Sequence, residues 1–159
     1  MSAGMEVGLV EIRRLDFDEA NVHATALISL LYEILAANFP NASVMYAEKY
    51  YHDMVNYIKD GSAIVYSAFD HDKLIGLLWG YEVTRLGQKR MHGVMIGVQQ
   101  EYRGQDIGTS LLLELEAVAL AHDVSIVEVM VSATNERAVQ YYGKNGFSVE
   151  QFKMYKRLS

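Results

Sequence analysis

The strongest chemical signal in this sequence is a polar, glycine-containing loop between an apolar strand and an amphipathic helix. The stretch Met95–Gly108 holds this loop, and a leucine-rich run from Thr109 to His122 follows it. The first backbone N–H groups of a helix have no partner inside the helix, and the helix dipole places partial positive charge there. The junction therefore predicts a binding site for an anion, typically a phosphate.

Individual residues of the loop suit this chemistry. Gly104 and Gly108 have no Cβ, so a ligand could approach the backbone closely at both positions. Arg103 adds a permanent positive charge whose guanidinium presents several donors at once. Two familiar phosphate loops are excluded, because the chain contains neither GxxxxGK(S/T) nor a GxGxxG that follows a strand.

A second polar segment lies farther along the chain and makes the interpretation of the loop more specific. It runs N-E-R-A-V-Q-Y-Y-G-K-N-G-F from Asn135 to Phe147. The loop around Arg103 resembles the acetyl-CoA pyrophosphate loop of the GNAT superfamily of N-acetyltransferases, whose pattern is (R/Q)-x-x-G-x-(G/A). The second segment is similar to that family's N-x-x-A-x-x-x-Y-x-K-x-G-F. The resemblance extends in element order from Leu9 to the C-terminus, with motif-level detail only in Val94–Phe147.

The resemblance implies one GNAT-like domain over residues 1–159. Its α/β fold, of mixed α+β character, would be a single twisted mixed sheet of about six to seven strands with helices on both faces. A V-shaped splay would separate two parallel central strands. The implied function is N-acetyl transfer from acetyl-CoA directly to a primary amine of a small molecule or peptide, through a ternary complex and without an acyl-enzyme.

The resemblance also assigns residues to the acetyl-CoA site. The pantetheine arm would pair with strand backbone, the pyrophosphate would lie on the loop, and the downstream motif would complete the site. The implied cofactor-binding residues are Ile96, Gly97, Val98, Arg103, Gly104, Gln105, Asp106, Ile107, Gly108, Thr109, Asn135 and Tyr142. Asn135 has a second expected role, because an asparagine before a helix can cap it.

Two residues are candidates for acid–base catalysis. Tyr142 matches the tyrosine of the family motif, whose hydroxyl acts as general acid towards the sulfur, although a packed aromatic residue is the alternative. His92 is the candidate base, because it lies on the strand that leads to Val98 and an imidazole titrates near neutral pH. A purely structural strand histidine, Glu82 as the base and a water chain remain open at this stage.

Asp106 is a departure from the family pattern, which has a glycine at this position. A carboxylate repels a pyrophosphate, and aspartate is a strong N-cap that could occupy the amides the phosphate needs. The alternative function is therefore a non-catalytic acyl-CoA-binding or sensing module, weakened at Asp106. A third hypothesis, a structural dimer domain, rests on the tyrosine-rich helix predicted over Ser43–Lys59, whose aromatic residues could instead form an acceptor wall.

Periodicity and turn signals predict the elements that position these residues. The long helix has an apolar stripe of Ile107, Leu111, Leu115 and Val118, and the strand after it should be fully buried and parallel to Met91–Val98. The predicted strands are Leu9–Arg13, Ala63–Phe69, Leu74–Thr84, Lys89–Val98, Ser125–Val131 and Phe147–Arg157, and the other predicted helices are Asp16–Ala37, Ser43–Lys59 and Asn135–Lys144.

Composition narrows the classes of function. A net charge of −6 argues against a nucleic-acid partner, and no apolar run is long enough to span a membrane. The chain has no cysteine, so an acyl-cysteine intermediate is impossible, and its scattered histidines predict no metal site. The first residues, Met1–Glu6, lack the basic flank and apolar core of a signal peptide, which predicts a cytoplasmic protein. A homodimer is a further expectation.

Overall fold

The computed structural model describes residues 9–159, so the expectation about Met1–Glu6 concerns a segment outside the described residues. The strands of this part of the chain are β1 Val10–Arg14, β2 Ile64–Asp70, β3 Lys73–Arg85, β4 Gln88–Val98 and β5 Val127–Val129. Its α-helices are α1 Phe17–Val22, α2 Ala24–Asn38, α3 Val44–Asp60, α4 Ile107–Ala121 and α5 Glu136–Lys144.

Helix boundaries follow the capping signals in the sequence. Asp16 caps α1 by accepting a hydrogen bond from the Glu19 backbone N–H at 2.8 Å, and Ser43 caps α3 in the same way at 3.3 Å. The single helix predicted over Asp16–Ala37 is wrong, because the chain leaves helical geometry at His23 (φ −100°, ψ 22°) and forms two helices. No glycine or proline near His23 explains this break.

The five strands form one mixed sheet in the order β1-β2-β3-β4-β5. The first four strands pair antiparallel, and β4 and β5 pair in parallel, which confirms the predicted meander and crossover. The mixed fold class is confirmed, but the strand count is lower than the expected six to seven. No helix in residues 9–159 combines the length and apolarity needed to cross a bilayer.

The two missing pieces of sheet lie at the C-terminal end of the chain. β5 was predicted over Ser125–Val131 as a fully buried strand, but it spans three residues, and all three are half-buried. The reason is that β5 has a paired neighbour on one side only, since β4 is its one partner in the described sheet. The last strand, predicted over Phe147–Arg157, is wrong: these residues form neither helix nor strand.

Helices cover both faces of the sheet and divide the core into two clusters. On one face α2 and α3 pack over Leu77 and Trp79 of β3. On the other face α4 buries Leu111 and Leu115 against Leu78, and α5 adds Tyr142 to this cluster. Because successive residues of a strand face opposite sides, this division identifies which strand residues lie on the α3 face and which on the α4 face.

Candidate functional site

An unpaired stretch of β4 forms the centre of the candidate site. β4 and β5 are paired only at Met91–Gly93 with Val127–Val129, and β4 then continues to Val98 with no strand beside it on that side. Val94 is an extra residue in the ladder, because Gly80 pairs with Gly93 and Trp79 with Met95. Such a bulge bends its strand, so β4 turns away from β5 and opens the predicted splay.

Helix α2 covers one side of this opening. It lies so close to β4 that a Cβ built on Gly97 would be 2.6 Å from Cγ1 of Ile34. Along the edge of β4 that faces β3, the backbone of Ile96–Val98 pairs with Gly76–Leu78. The opposite edge of β4 is the unpaired one. An extended ligand arm could therefore add to β4 along its free edge, in the manner of an extra strand.

Asn38, the last residue of α2, connects the two sides of the opening. Its side-chain oxygen accepts hydrogen bonds from the Ser132 backbone N–H and the Asn135 side-chain amide, both at 3.2 Å, and its amide donates to the Ile34 carbonyl at 2.9 Å. Asn38 is therefore a site residue that the sequence motifs did not reveal. No short-range signal could have identified this role, because its partners lie more than ninety residues away.

Asn135 is held from two directions. Its side-chain oxygen accepts from the Ala138 backbone N–H at 3.3 Å, which confirms the predicted cap of α5. Its amide nitrogen donates to Asn38. One amide hydrogen thus remains for a ligand, and the side chain is already oriented by the protein.

The N-terminus of α4 presents backbone donors that no side chain fills. Gly104 and Asp106 both have left-handed backbone conformations, with φ of 79° and 60°. The Asp106 side chain makes no capping hydrogen bond, and the first helical bond runs from the Ser110 N–H to the Asp106 carbonyl. The N–H groups of Ile107, Gly108 and Thr109 therefore have no partner within residues 9–159 and remain available to an anion.

Positive charge lies beside these donors. Arg103 donates from Nε to the carbonyl of Val98 at 3.0 Å, which ties the loop to the end of β4 and occupies that carbonyl. Burial lowers the pKa of Arg103, as does the like charge of Arg137, and Glu33 opposes them. An anion bound between two guanidinium groups would offset their mutual repulsion.

Residues on α4 and α5 pack together behind the loop. A Cβ on Gly108 would lie 2.9 Å from the Tyr141 hydroxyl, so glycine permits the close approach of the two helices. The Thr109 hydroxyl lies 3.4 Å from the same hydroxyl and 3.3 Å from the Asn145 side-chain oxygen. The Thr109 side chain therefore joins the helices, and only its backbone N–H is free. Gln105 is exposed in the loop.

Tyr142 is buried except for its hydroxyl end. The residue is 9% exposed and its ring packs edge-on against Tyr141 and Phe147. Its hydroxyl has no hydrogen bond to any described residue, and it is not among the fully enclosed unpaired atoms. Burial raises the pKa of Tyr142, and Tyr141 raises it further, so the phenol keeps its proton throughout the physiological range. A protonated, unpaired hydroxyl can donate a hydrogen bond or a proton to a ligand.

His92 lies on the opposite face of the sheet from α4, in a cluster that the sequence analysis missed. Its ring contacts Tyr81 of β3, and its Nδ1 is 3.4 Å from Oε2 of Glu128 on β5. This separation is too long for a well-aligned hydrogen bond, and Nδ1 has no hydrogen-bond partner among the described residues. Oε1 of Glu128 accepts from Arg85 Nε at 3.0 Å.

Glu128 remains ionised in this cluster. Burial by itself would raise the pKa of Glu128, but Arg85 and His92 outweigh it and lower the pKa. A charged residue within a predicted buried strand was the available signal for this cluster, since such residues are almost never buried without partners. The other candidate base, Glu82, faces α4 and contacts His122 at the end of that helix.

Comparisons with known proteins establish the family and the fold. The model of the acetyltransferase (GNAT) family matches residues 28–147. The chain belongs to the GNAT acetyltransferase family. It is therefore an acyltransferase enzyme of a family that uses acetyl-CoA as its acyl donor. A comparison with curated proteins gave no significant match.

Solved structures of other GNAT proteins share the fold. An aminoglycoside acetyltransferase from an uncultured soil metagenomic sample, in complex with trehalose, has a TM-score of 0.72 at 18% identity, covering 94% of this chain and 97% of that chain. The PaiA N-acetyltransferase from Thermoplasma acidophilum, in complex with coenzyme A, has a TM-score of 0.71 at 20% identity, covering 91% and 93%.

A third solved structure is a ribosomal-protein-alanine N-acetyltransferase from Brucella melitensis biovar Abortus 2308. Its TM-score is 0.68 at 20% identity, covering 95% of this chain and 100% of that chain. Identities this low establish the common GNAT fold, while the acceptor of this GNAT protein has to be argued from its own residues.

Proposed function

We propose that this GNAT protein transfers the acetyl group of acetyl-CoA directly to a primary amine of a small molecule or peptide, in a ternary complex. The observation that carries the proposal is the unfilled N-terminus of α4 beside the unpaired edge of β4. One element offers donors for a diphosphate, and the other offers a backbone edge for an extended arm. The two are joined by the Arg103–Val98 hydrogen bond.

The residues present fit acetyl-CoA as donor. The amides of Ile107, Gly108 and Thr109 would hold the pyrophosphate together with Arg103 and the backbone at Gly104. Asn135 would offer its remaining amide hydrogen to the arm that lies along Ile96–Val98. When bound, acetyl-CoA supplies a thioester whose carbonyl carbon reacts with an unprotonated amine. The absence of cysteine favours direct transfer over an acyl-cysteine route.

Three groups of this chain would carry the proton and charge changes. The free β4 edge at Ile96–Val98 provides backbone donors for the oxygen on which negative charge develops. His92 would take the proton that the amine loses, and Glu128 would stabilise the charged ring. Tyr142 would donate to the departing sulfur, because its hydroxyl is protonated and unpaired.

An aromatic group on the α3 face is the candidate wall of the acceptor pocket. The rings of Tyr50 and Tyr57 lie 6.5 and 6.4 Å from that of Trp79, which is directly opposite Met95 beside the β4 bulge. Trp79 Nε1 is enclosed and has no hydrogen-bond partner among the described residues. Tyr57 is 47% exposed, so an acceptor with an apolar body could pack against this ring.

Free coenzyme A thiol, measured across a panel of amines, tests the proposal. Polyamines, aminoglycosides and peptides with free N-termini should be included, and we expect thiol release that depends on one class of amine. A thermal shift with acetyl-CoA, measured in parallel, separates the alternatives, because a ligand that binds the native state raises Tm. A shift without turnover on any amine would favour the acyl-CoA-binding alternative, and the lack of both would contradict the proposal.

We expect Asp106→Gly to bind acetyl-CoA about fivefold more tightly, because removal of one charge next to a diphosphate is worth on the order of 1 kcal/mol. Glycine also adopts the left-handed conformation of residue 106 without strain (φ 60°). Calorimetry on both proteins measures the change. Asp106→Asn is the matched control, since it removes the charge but keeps the side chain. Equal or weaker binding in both variants would show that the carboxylate does not oppose the ligand.

A further inference from the structure

Asn38 joins helix α2 to the turn that follows β5. This turn spans residues 132–135, and the Asn135 backbone N–H closes it by donating to the Ser132 carbonyl at 2.9 Å. The Asn38 side-chain oxygen accepts a hydrogen bond from each end of the turn, from the Ser132 backbone N–H and from the Asn135 side-chain amide, both at 3.2 Å. A single side chain on α2 therefore holds both ends of the turn.

The Asn38 side chain is fixed from its own helix as well. Its amide nitrogen donates to the Ile34 carbonyl at 2.9 Å, one helical turn earlier. Ile34 is packed tightly against β4, since a Cβ on Gly97 would lie 2.6 Å from its Cγ1 atom. Because a close-packed protein interior deforms little, this contact determines where the Asn38 oxygen lies relative to β4.

The direction of the Ser132 N–H bears on the width of the opening between β4 and β5. The Met91 N–H donates to the Ile126 carbonyl at 2.8 Å, so Ile126 directs its backbone groups towards β4. These directions alternate along a strand, so in a continued ladder Ser132 would also direct its N–H towards β4. It donates to Asn38 instead, and β4 and β5 pair no further than Gly93.

We propose that Asn38 is a positioning residue for acetyl-CoA, which holds the segment after β5 away from β4 and directs the free amide hydrogen of Asn135 towards the arm of the donor. The proposal rests on the function proposed above, in which this arm lies along Ile96–Val98. Without the Asn38 side chain, the Ser132 N–H is free to pair with β4, and the Asn135 side chain loses one of the two contacts that orient it. Both changes weaken binding of the arm, and neither involves the free amides of α4.

Two probes separate binding of the arm from binding of the rest of the donor. Acetyl-CoA carries the arm, whereas the ribose-phosphorylated adenosine diphosphate half of coenzyme A lacks it. By calorimetry on the intact chain, Asn38→Ala should bind acetyl-CoA about tenfold more weakly, the upper range for one hydrogen bond, and should bind the nucleotide within about twofold of the natural affinity. Equal losses for both probes, or no loss for acetyl-CoA, would overturn the proposal. A natural chain that binds neither probe would instead contradict the proposed function itself.

Asn21→Ala is the matched control for the alanine variant. Asn21 donates to the Phe17 carbonyl at 2.9 Å, which is the same bond to the fourth residue back that Asn38 makes, but its other hydrogen bond is with Tyr51 of α3. We expect both probes to bind this variant as tightly as they bind the natural chain. A tenfold loss of acetyl-CoA affinity here as well would attribute the effect to the helix end and contradict a role for the turn.

Asn38→Asp tests the side-chain oxygen itself. Aspartate keeps an acceptor for the two N–H groups of the turn but cannot donate to the Ile34 carbonyl. We expect acetyl-CoA affinity within about threefold of the natural value, and an aspartate variant that binds as weakly as the alanine variant would count against the oxygen. Circular dichroism should show both variants folded, because Asn38 is half-buried at a helix end and alanine favours a helix.

An Asn135→Asp background tests whether Asn38 acts through Asn135. Aspartate keeps the cap of α5 and removes the amide that donates to Asn38 and to the arm. In this background Asn38→Ala should weaken acetyl-CoA binding by less than about threefold, because residues that act through one another do not have additive effects. A full tenfold loss in this background would contradict the proposed action through Asn135.

Discussion

Tyr142→Phe should lower kcat for acetyl transfer by about 100-fold, the usual contribution of a positioned general acid. The phenol is buried in an aromatic cluster that keeps it protonated, and its hydroxyl has no partner in the described chain. The substitution removes that hydroxyl and leaves the ring that packs against Phe147. We therefore expect little change in Tm or in acetyl-CoA affinity, so the loss should appear in turnover.

Tyr141→Phe is the matched control for this experiment. It removes a neighbouring hydroxyl whose contact with Thr109 is long, at 3.4 Å, and it leaves the same aromatic packing. We expect kcat to change by less than about threefold, because that hydroxyl faces α4 in a structural contact. A variant of Tyr142 with unchanged turnover, or equal losses in both variants, would remove Tyr142 from the mechanism.

The nature of the leaving group offers a finer check. A general acid matters most when the departing thiolate is a strong base, so a thioester of a more acidic thiol depends less on proton donation. The ratio of natural to Tyr142→Phe turnover should therefore fall with such a donor. A ratio that is the same for both donors would indicate that Tyr142 orients the substrate and does not supply a proton.

The anion loop was predictable because its chemistry is local. The position of the free amides of α4 follows from three local features: alternating apolar residues in a strand, a glycine-containing turn and an apolar stripe along a helix. All three can be recognised within residues 94–118. The helix caps at Asp16, Ser43 and Asn135 were predictable for the same reason, since a cap involves residues three apart.

Contacts between distant segments could not be derived in this way. The Asn38–Asn135 hydrogen bond joins α2 to the start of α5, and it depends on how α2 crosses β4 at Gly97. The apolar pattern of Ser125–Val131 indicates a strand, and the crossover indicates its parallel neighbour β4, but neither shows whether a strand lies on its other side. Its position at the sheet edge was therefore missed. Phe147–Arg157 shows the same limit: its alternating pattern predicts a strand, but no strand of the described sheet pairs with it.

The cluster around Glu128 is an example of a site built from contacts between distant segments. Taken alone, Glu128 is one acid in an apolar run, but the parallel register places it opposite His92. The neighbouring β3 strand then adds Tyr81 beside the ring and Arg85 on the carboxylate. The polar cluster therefore follows from sheet order, which only the folded structure provides.

His92→Gln should lower kcat near neutral pH by about 100-fold, as expected for loss of a general base. Glutamine keeps a polar side chain of similar size beside Tyr81 but cannot accept the proton of the amine. Glu82→Gln is the matched control, because Glu82 faces α4 and contacts His122 instead of the site. Large losses in the Glu82 variant with normal turnover in the His92 variant would transfer the role of base to Glu82.

The pH profile of Glu128→Gln completes the argument about the base. The groups that face His92 are Tyr81 and Arg85 from β3 and Glu128 from β5, while Arg90 on its own strand is paired with Glu150. Loss of the one negative charge beside the ring makes protonation of the ring less favourable. The acid limb of kcat/KM should therefore move to lower pH, since the unprotonated base persists further into acid. A limb that stays in place would show that His92 is not the group that titrates, and that water or another residue receives the proton.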